Sequence, residues 1–396
     1  MNCIPKSLTL PPETKSGAGA IRQLLPSCNS FGSRGMVVCG RSLEKSGRLM
    51  AILGDKATDD NIQVWIHGGG EPTLDQVEIF REDARNHKPD WVAAIGGGSV
   101  MDLAKAGAGL LNAPLSAVAY HEGAAIPHSN IPFLVAPTTA GTGSEATMVS
   151  VLTNTETGVK KSIRHSSFMA TTVILDSALL DGCPKEVIAA SGMDAFTQAI
   201  ESYCSVGATW LTDALALKAA ALIHNSLEAV YNGDGTKQED LLQGSYLAGI
   251  ALSNARLGIV HGLAHPLGAR FHVPHGLACA LCLPLALAFN RDAVPEKYRQ
   301  LSLLAGVDIF EYVQRLLANM NLINPFSGET ISDMDAVIEE TLASGSTKAN
   351  PRKATEEDVA LLLEQLFASA PQQKPVEGHN PHDDLHNCPG RICKYE

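Results

Sequence analysis

The segment Trp91-Val92-Ala93-Ala94-Ile95-Gly96-Gly97-Gly98-Ser99-Val100-Met101-Asp102-Leu103-Ala104-Lys105-Ala106 decides the reading of the fold. It begins as a short apolar run of strand character, turns on glycines and ends with the composition of a helix. That order suits a phosphate. Glycines let an anion approach the backbone, while the free amides and the positive end of the helix dipole face it. A plain tight turn is the competing reading, and Gly68-Gly69-Gly70 is a second triple glycine to which no chemistry is assigned. The strand-to-helix context favours the phosphate.

Working outward, Gly35-Met36-Val37-Val38-Cys39 and Ile131-Pro132-Phe133-Leu134-Val135-Ala136 are further strand-like runs, separated by helical stretches and glycine turns. This rhythm predicts a parallel α/β sheet. After about Pro184 the character changes. Lys185 to Cys204, Thr212 to Tyr231 and Glu239 to Asn254 read as Ala/Leu-rich helices, and helical patterns resume at Pro295 to Leu322 and Thr355 to Ala370. The expected fold class is α/β plus all-α, with a nucleotide-binding α/β domain over 1–182 and a helical domain over 183–370. The tail 371–396 is polar and Pro-rich without a periodic apolar face, and is expected to be poorly ordered. His382, His386, Cys388 and Cys393 in it match no strong zinc spacing.

Composition removes other classes. With 396 residues, 45% hydrophobic and 18% charged, the chain has enough apolar material for packed cores. Thirty Lys and Arg against 42 Asp and Glu give a net charge of -12, which repels nucleic acid and anionic membranes alike. The start lacks the pattern of an export signal, and no run of about 18 apolar residues suggests a membrane span. Nine scattered cysteines suit reduced thiols. A cytoplasmic location is expected.

Two further segments bear chemistry. Pro137-Thr138-Thr139-Ala140-Gly141-Thr142-Gly143-Ser144-Glu145 follows a strand and gathers hydroxyls able to grip a cofactor, or merely to cap a helix. In the helical half, Asp194 and Gln198 sit four apart and share a helix face. His261 and His265 are likewise four apart, and His275 follows in Val273-Pro274-His275-Gly276. A lone buried histidine is usually a core residue, but a carboxylate with several imidazoles can form a mixed N/O metal site. Such an ion would polarise a substrate oxygen.

The blocks GGGSVMDLAK, PTTAGTGSEAT and GIVHGLAHPLG with the following PHG, in this order and spacing, resemble the iron-containing (group III) alcohol dehydrogenases. The likeness runs from about Lys6 to Ala370. It implies an N-terminal Rossmann-like domain, a helical C-terminal domain and a metal in the cleft between them. Asp194, His261 and His275 match three of the family's four ligands, and Gln198 stands where the remaining histidine is usual. An amide oxygen is a weaker donor than imidazole, so Gln198 is expected at the edge of the site. His265 is the implied proton relay. The resemblance also implies Fe2+, with Zn2+ as the alternative, and a homodimer or higher homo-oligomer.

For the cofactor it implies contacts at Gly97, Gly98, Ser99 and Asp102, the first three to the diphosphate. Thr138, Thr139 and Thr142 would surround the rings and Lys160, or alternatively Lys161, would reach a ribose. NAD-preferring relatives carry an Asp after an early strand; this chain has Gly40. Arg41, Ser42 and Lys45 could then meet a 2′-phosphate, so NADP is favoured over NAD. Many relatives have a cofactor-touching Asn near Glu71-Pro72-Thr73, and it is missing here. The expected reaction is hydride transfer between NAD(P)(H) and a small alcohol or aldehyde. A catalytically inactive nucleotide-binding protein and a lyase of the dehydroquinate-synthase type are the rival readings.

Overall fold

The computed structural model describes residues 7–368. The apolar runs of the first half form a six-stranded sheet that is parallel throughout, with strand order β1-β8-β5-β4-β2-β3. The strands are β1 (Glu13–Ser16), β2 (Gly35–Gly40), β3 (Ile62–His67), β4 (Trp91–Gly96), β5 (Phe133–Pro137) and β8 (Thr172–Leu175). Both faces are covered, which is why β2, β4 and β5 are apolar without alternation. Met36, Val38, Val92, Ala94 and Val135 face one buried cluster. Val37, Cys39, Ala93, Ile95 and Leu134 face the other. An antiparallel hairpin, β6 (Val149–Thr153) with β7 (Lys160–Arg164), stands apart from the sheet.

Strand order locates the crevice. The chain passes from β2 outward to β3, then returns to the other side of β2 to lay down β4 and β5. Connections diverge between β2 and β4, and in doubly wound sheets ligands bind outside the carboxyl ends of the strands at that switch point. Gly40 ends β2 and Gly96 ends β4, so both cofactor loops of the sequence reading emerge there.

From Lys185 onward the described chain is helical. The helix Lys185–Cys204 is buried along most of its length; Trp210–His224, Gln238–Ala255 and His275–Asn290 pack around it, and Ile259–Phe271 packs on His275–Asn290. The apolar cluster on one sheet face continues into these helices through Phe196, Ile223 and Leu263. Among the described residues no single helix is long and apolar enough to cross a membrane; one pair, Gly235–Ala255 and Ile259–Phe271, passes together but is bent by 105°. The six described cysteines are free. The tail and its His/Cys set lie outside the described residues.

Candidate functional site

The glycine loop after β4 opens the helix Gly98–Leu110, with Gly97 as its N-cap and Ser99 in its first turn. Its neighbour is the hydroxyl-rich loop after β5. A Cβ added to Gly98 would fall 2.7 Å from Thr142 Cγ2, and one on Gly97 would fall 3.2 Å from Thr139 Oγ1. Side chains there would fill the cradle, which leaves backbone amides as its surface. Thr138 is held beside it by its amide, which donates to Gly96 O at 3.0 Å.

Asp102 points into the protein. It accepts from Ser144 Oγ at 2.5 Å and from the Val151 amide at 2.9 Å, tying the helix to both the hydroxyl loop and β6. Lys105 lies fully buried beneath, donating to Ser144 O, Ser144 Oγ and Val149 O at 2.7, 2.8 and 2.8 Å. Expected among the cofactor contacts, Asp102 instead positions the cradle, because both its oxygens are already engaged within the protein.

Gly40 caps the short helix Arg41–Lys45, which places Arg41, Ser42 and Lys45 at the carboxyl edge of β2. The guanidinium of Arg41 reaches across to the glycine turn after β3, where a Cβ on Gly68 would lie 3.6 Å from Nη2. Lys160, at the start of β7, pairs with Glu71 at 2.9 Å. Its charge also reaches His265 and His275, whereas that of Lys161 reaches His121. Of the two lysines, Lys160 is the one turned towards the histidines.

The helical half gathers a second group. Asp194 lies on the helix Lys185–Cys204, His261 on Ile259–Phe271, and His275 and Cys279 on His275–Asn290. One donor atom from each of these four residues lies within 4.8 Å of the others. Close helix crossing makes this possible: a Cβ on Gly276 would fall 2.3 Å from the Ala190 carbonyl oxygen, so only glycine lets His275 come so near Asp194. Glu201 fixes the ring of His261, whose Nδ1 lies 2.6 Å from Oε2, while Oε1 accepts from the Val260 amide at 2.7 Å. His261 is left presenting Nε2 to Asp194 Oδ1 at 3.3 Å. A carboxylate behind the far nitrogen of an imidazole is the usual support of a metal-binding histidine.

Gln198 is buried one turn after Asp194 on the same helix. Its amide donates to Asp194, and its Oε1 has no hydrogen-bond partner. His265 stands beside the cluster. Its ring stacks on His275 with centroids 5.0 Å apart and planes 13° from parallel, and its centroid lies 6.3 Å from that of His261.

The buried groups at this point shift one another's protonation. Burial opposes a proton on His261, but Cys279, Glu201 and Asp194 together pull its pKa well above the ordinary value. Asp194 is held below the usual carboxylate value despite its burial, by His261, His275 and Gln198. His275 is pushed down to about 4 by burial and, against the pull of Asp194, by His261 and Lys160. His265 lies well below the ordinary histidine value through burial and then through His275, His261 and Lys160. His265 is therefore neutral near pH 7. The Cys279 thiol is pushed up to about 12, chiefly by burial.

Two residues of this group escaped the sequence reading. Cys279 is one helical turn past His275 in an almost wholly apolar helix, where a buried cysteine reads as core. Glu201 was visible one turn beyond Gln198, but its partner His261 is 60 residues away. A depression of about 270 Å³ lined by Asn29, Gly32, Lys56, Asp59 and Asn61 lies at the amino ends of β2 and β3, the wrong end of the sheet for this chemistry.

Comparison with known proteins agrees with this architecture. Residues 11–177 match the model of the iron-containing alcohol dehydrogenases, and 188–367 that of the C-terminal part of the Fe-containing alcohol dehydrogenase family. The chain is 35% identical over 377 residues to the probable alcohol dehydrogenase EutG of Escherichia coli (strain K12), covering 92% of this chain and 94% of that one. Lactaldehyde reductase of the same organism is 33% identical, covering 87% and 95%. The crystal structure of sulfoacetaldehyde reductase from Bifidobacterium kashiwanohense in complex with NAD+ superposes with a TM-score of 0.85 at 27% identity, covering 92% and 98%. None of these relatives favours a lyase or an inactive binding protein. With both halves matched and both clusters at the places the fold provides, the chain belongs to the iron-containing alcohol dehydrogenase family, oxidoreductases that act on alcohols and aldehydes with a nicotinamide nucleotide and a divalent metal.

Proposed function

We propose that this enzyme interconverts small aldehydes and alcohols with NADP(H), using a divalent ion held by Asp194, His261 and His275. The observation that carries the metal assignment is their convergence, with Cys279, within 4.8 Å. The donor set fits a cation, as one carboxylate and two imidazoles suit iron or zinc. His275 Nδ1 and Gln198 Oε1 are also buried without hydrogen-bond partners. A bound ion supplies Lewis acidity towards the substrate oxygen.

The remaining roles fall to the chain's own groups. The Gly97, Gly98 and Ser99 amides at the helix start receive the diphosphate, and Thr138, Thr139 and Thr142 line the loop beside it. Gly40 puts no carboxylate in the path of a 2′-phosphate, and Arg41 with Ser42 meets it, Lys45 standing one turn on. Lys160, tethered to Glu71, adds positive charge near the ribose. His265, neutral near pH 7, takes the alcohol proton in oxidation and returns it in reduction. Relatives named for lactaldehyde, sulfoacetaldehyde and 1,3-propanediol support small substrates. The family likeness also supports a cytoplasmic homo-oligomer, a dimer at the least.

The test is reduction of short aldehydes by NADPH and by NADH, in protein loaded with iron or zinc and in protein stripped by chelator. Activity that needs the metal and favours NADPH supports the proposal. Full activity after complete stripping overturns the metal role, and equal or better efficiency with NADH overturns the assignment of the Gly40 loop.

A further inference from the structure

Position 198 offers an amide where the family resemblance expects an imidazole: its nitrogen donates to Asp194, and its unpartnered Oε1 is a neutral and weaker metal donor than imidazole. A different side chain reaches the donor group. Cys279 lies four residues after His275, on the same face of the same helix, and is fully buried. Its Sγ is 3.6 Å from His275 Nε2 and belongs to the group of four donors within 4.8 Å. Around a tetrahedral ion with metal–nitrogen bonds of about 2.0–2.1 Å and metal–sulfur bonds of about 2.3 Å, nitrogen and sulfur stand roughly 3.5 Å apart. The spacing already present is the one such an ion requires.

We infer that Cys279 is the fourth protein ligand of the divalent ion, a thiolate serving where relatives use imidazole. This rests on the reading that Asp194, His261 and His275 hold the ion. On binding, the S–H bond breaks, a sulfur electron pair forms the metal–sulfur bond and the proton leaves to solvent, with no change of oxidation state. Asp194 and Cys279 together then neutralise a 2+ ion, whereas one carboxylate with three imidazoles leaves it a net positive charge. A soft thiolate in place of a nitrogen moves selectivity away from iron and towards zinc. Gln198 becomes a positioning residue, its amide orienting Asp194.

The test uses the full chain stripped of metal and titrated with Co2+ alone. The expected result is one equivalent bound, with a near-ultraviolet thiolate-to-cobalt charge-transfer band beside the visible cobalt bands. Cys279→Ser should lose the near-ultraviolet band and bind cobalt at least about tenfold more weakly, whereas Cys282→Ser, changing the next buried thiol of that helix, should keep both. Adding Gln198→His to Cys279→Ser should restore tight binding without restoring the band. X-ray absorption of zinc-loaded wild-type protein needs no variant and should show one sulfur at about 2.3 Å. Cobalt or zinc bound with nitrogen and oxygen only, or a band unchanged in Cys279→Ser, overturns the ligand assignment and leaves the other three in place. Failure to bind any metal, or binding indifferent to Asp194→Ala and His275→Ala, overturns the site itself and this inference with it.

Discussion

His265 lies face to face with His275, ring centroids 5.0 Å apart and planes 13° from parallel. The stack holds a neutral imidazole against the donor cluster without making it part of that cluster. His265→Ala should therefore lower kcat by on the order of 10²–10⁴ while metal content is unchanged. Paired measurements of turnover and bound metal check this; metal loss would mean that His265 and His261 have been assigned each other's roles.

Glu201 acts through His261, whose Nδ1 it holds at 2.6 Å. Glu201→Gln keeps the shape but removes the charge behind the ring. Metal affinity should fall about 10–100-fold, as for other supporting groups of ligating histidines. Competition with a coloured chelator gives the number, and an unchanged affinity would make Glu201 a packing residue only.

Gly40→Asp should shift preference from NADP towards NAD. There is room for it, since an added Cβ would meet Val100 Cγ2 at 3.6 Å and Ser42 Oγ at 3.9 Å, both ordinary contacts. The new carboxylate would face the 2′-phosphate and repel it, changing the ratio of kcat/KM values on the order of 10–100-fold. Steady-state kinetics with both nucleotides decide it.

Gly276→Ala should separate metal binding from nucleotide binding. The methyl group would fall 2.3 Å from Ala190 O, backbone that cannot step aside cheaply, so the helix carrying His275 must move outward. Overpacking of this kind costs about 1–3 kcal/mol. Calorimetry should show metal affinity lost and nucleotide affinity kept.

Glu145 gives a pH signature of its own. It is almost wholly buried with Oε1 unpartnered, and burial raises its pKa to about 7 from an ordinary 4.5. The folded state holds this proton more tightly than the unfolded chain does. Its contribution is therefore full below pH 4.5, declines as the pH rises towards 7 and stays lost above it. Glu145→Gln removes the decline. Melting temperatures at pH 5 and pH 8 should show the variant gaining on the wild type at the higher pH, and an equal difference at both would contradict the shift.

Much of this molecule was legible in the sequence because its signals are local. The runs at Gly35, Trp91 and Ile131 became β2, β4 and β5, and Lys185 to Cys204 became a helix with those bounds. Thr212 to Tyr231 split into Trp210–His224 and Leu227–Tyr231, broken around Asn225 and Ser226, and Pro295 to Leu322 split at Gly306. The β6–β7 hairpin was not read, since its strands are half-exposed and lack a strong apolar run. In the site, Asp194, His261 and His275 were visible through helical spacing and family likeness. Cys279 was not, because nothing local distinguishes a thiol facing a metal from one facing leucines. The pairing of Lys160 with Glu71 was equally hidden, as it joins segments that only the folded sheet brings together.

The donor cluster is drawn entirely from three helices of the second half, while the cradle of glycines and hydroxyls is drawn from loops of the first. Recognition of the electron carrier and choice of the activating ion are thus written in different stretches of chain. Positions 198 and 279, between which the fourth donor is decided, both belong to that second stretch. Such a layout lets a lineage retune its appetite for metals to whatever its surroundings supply while its currency of reducing power stays the same.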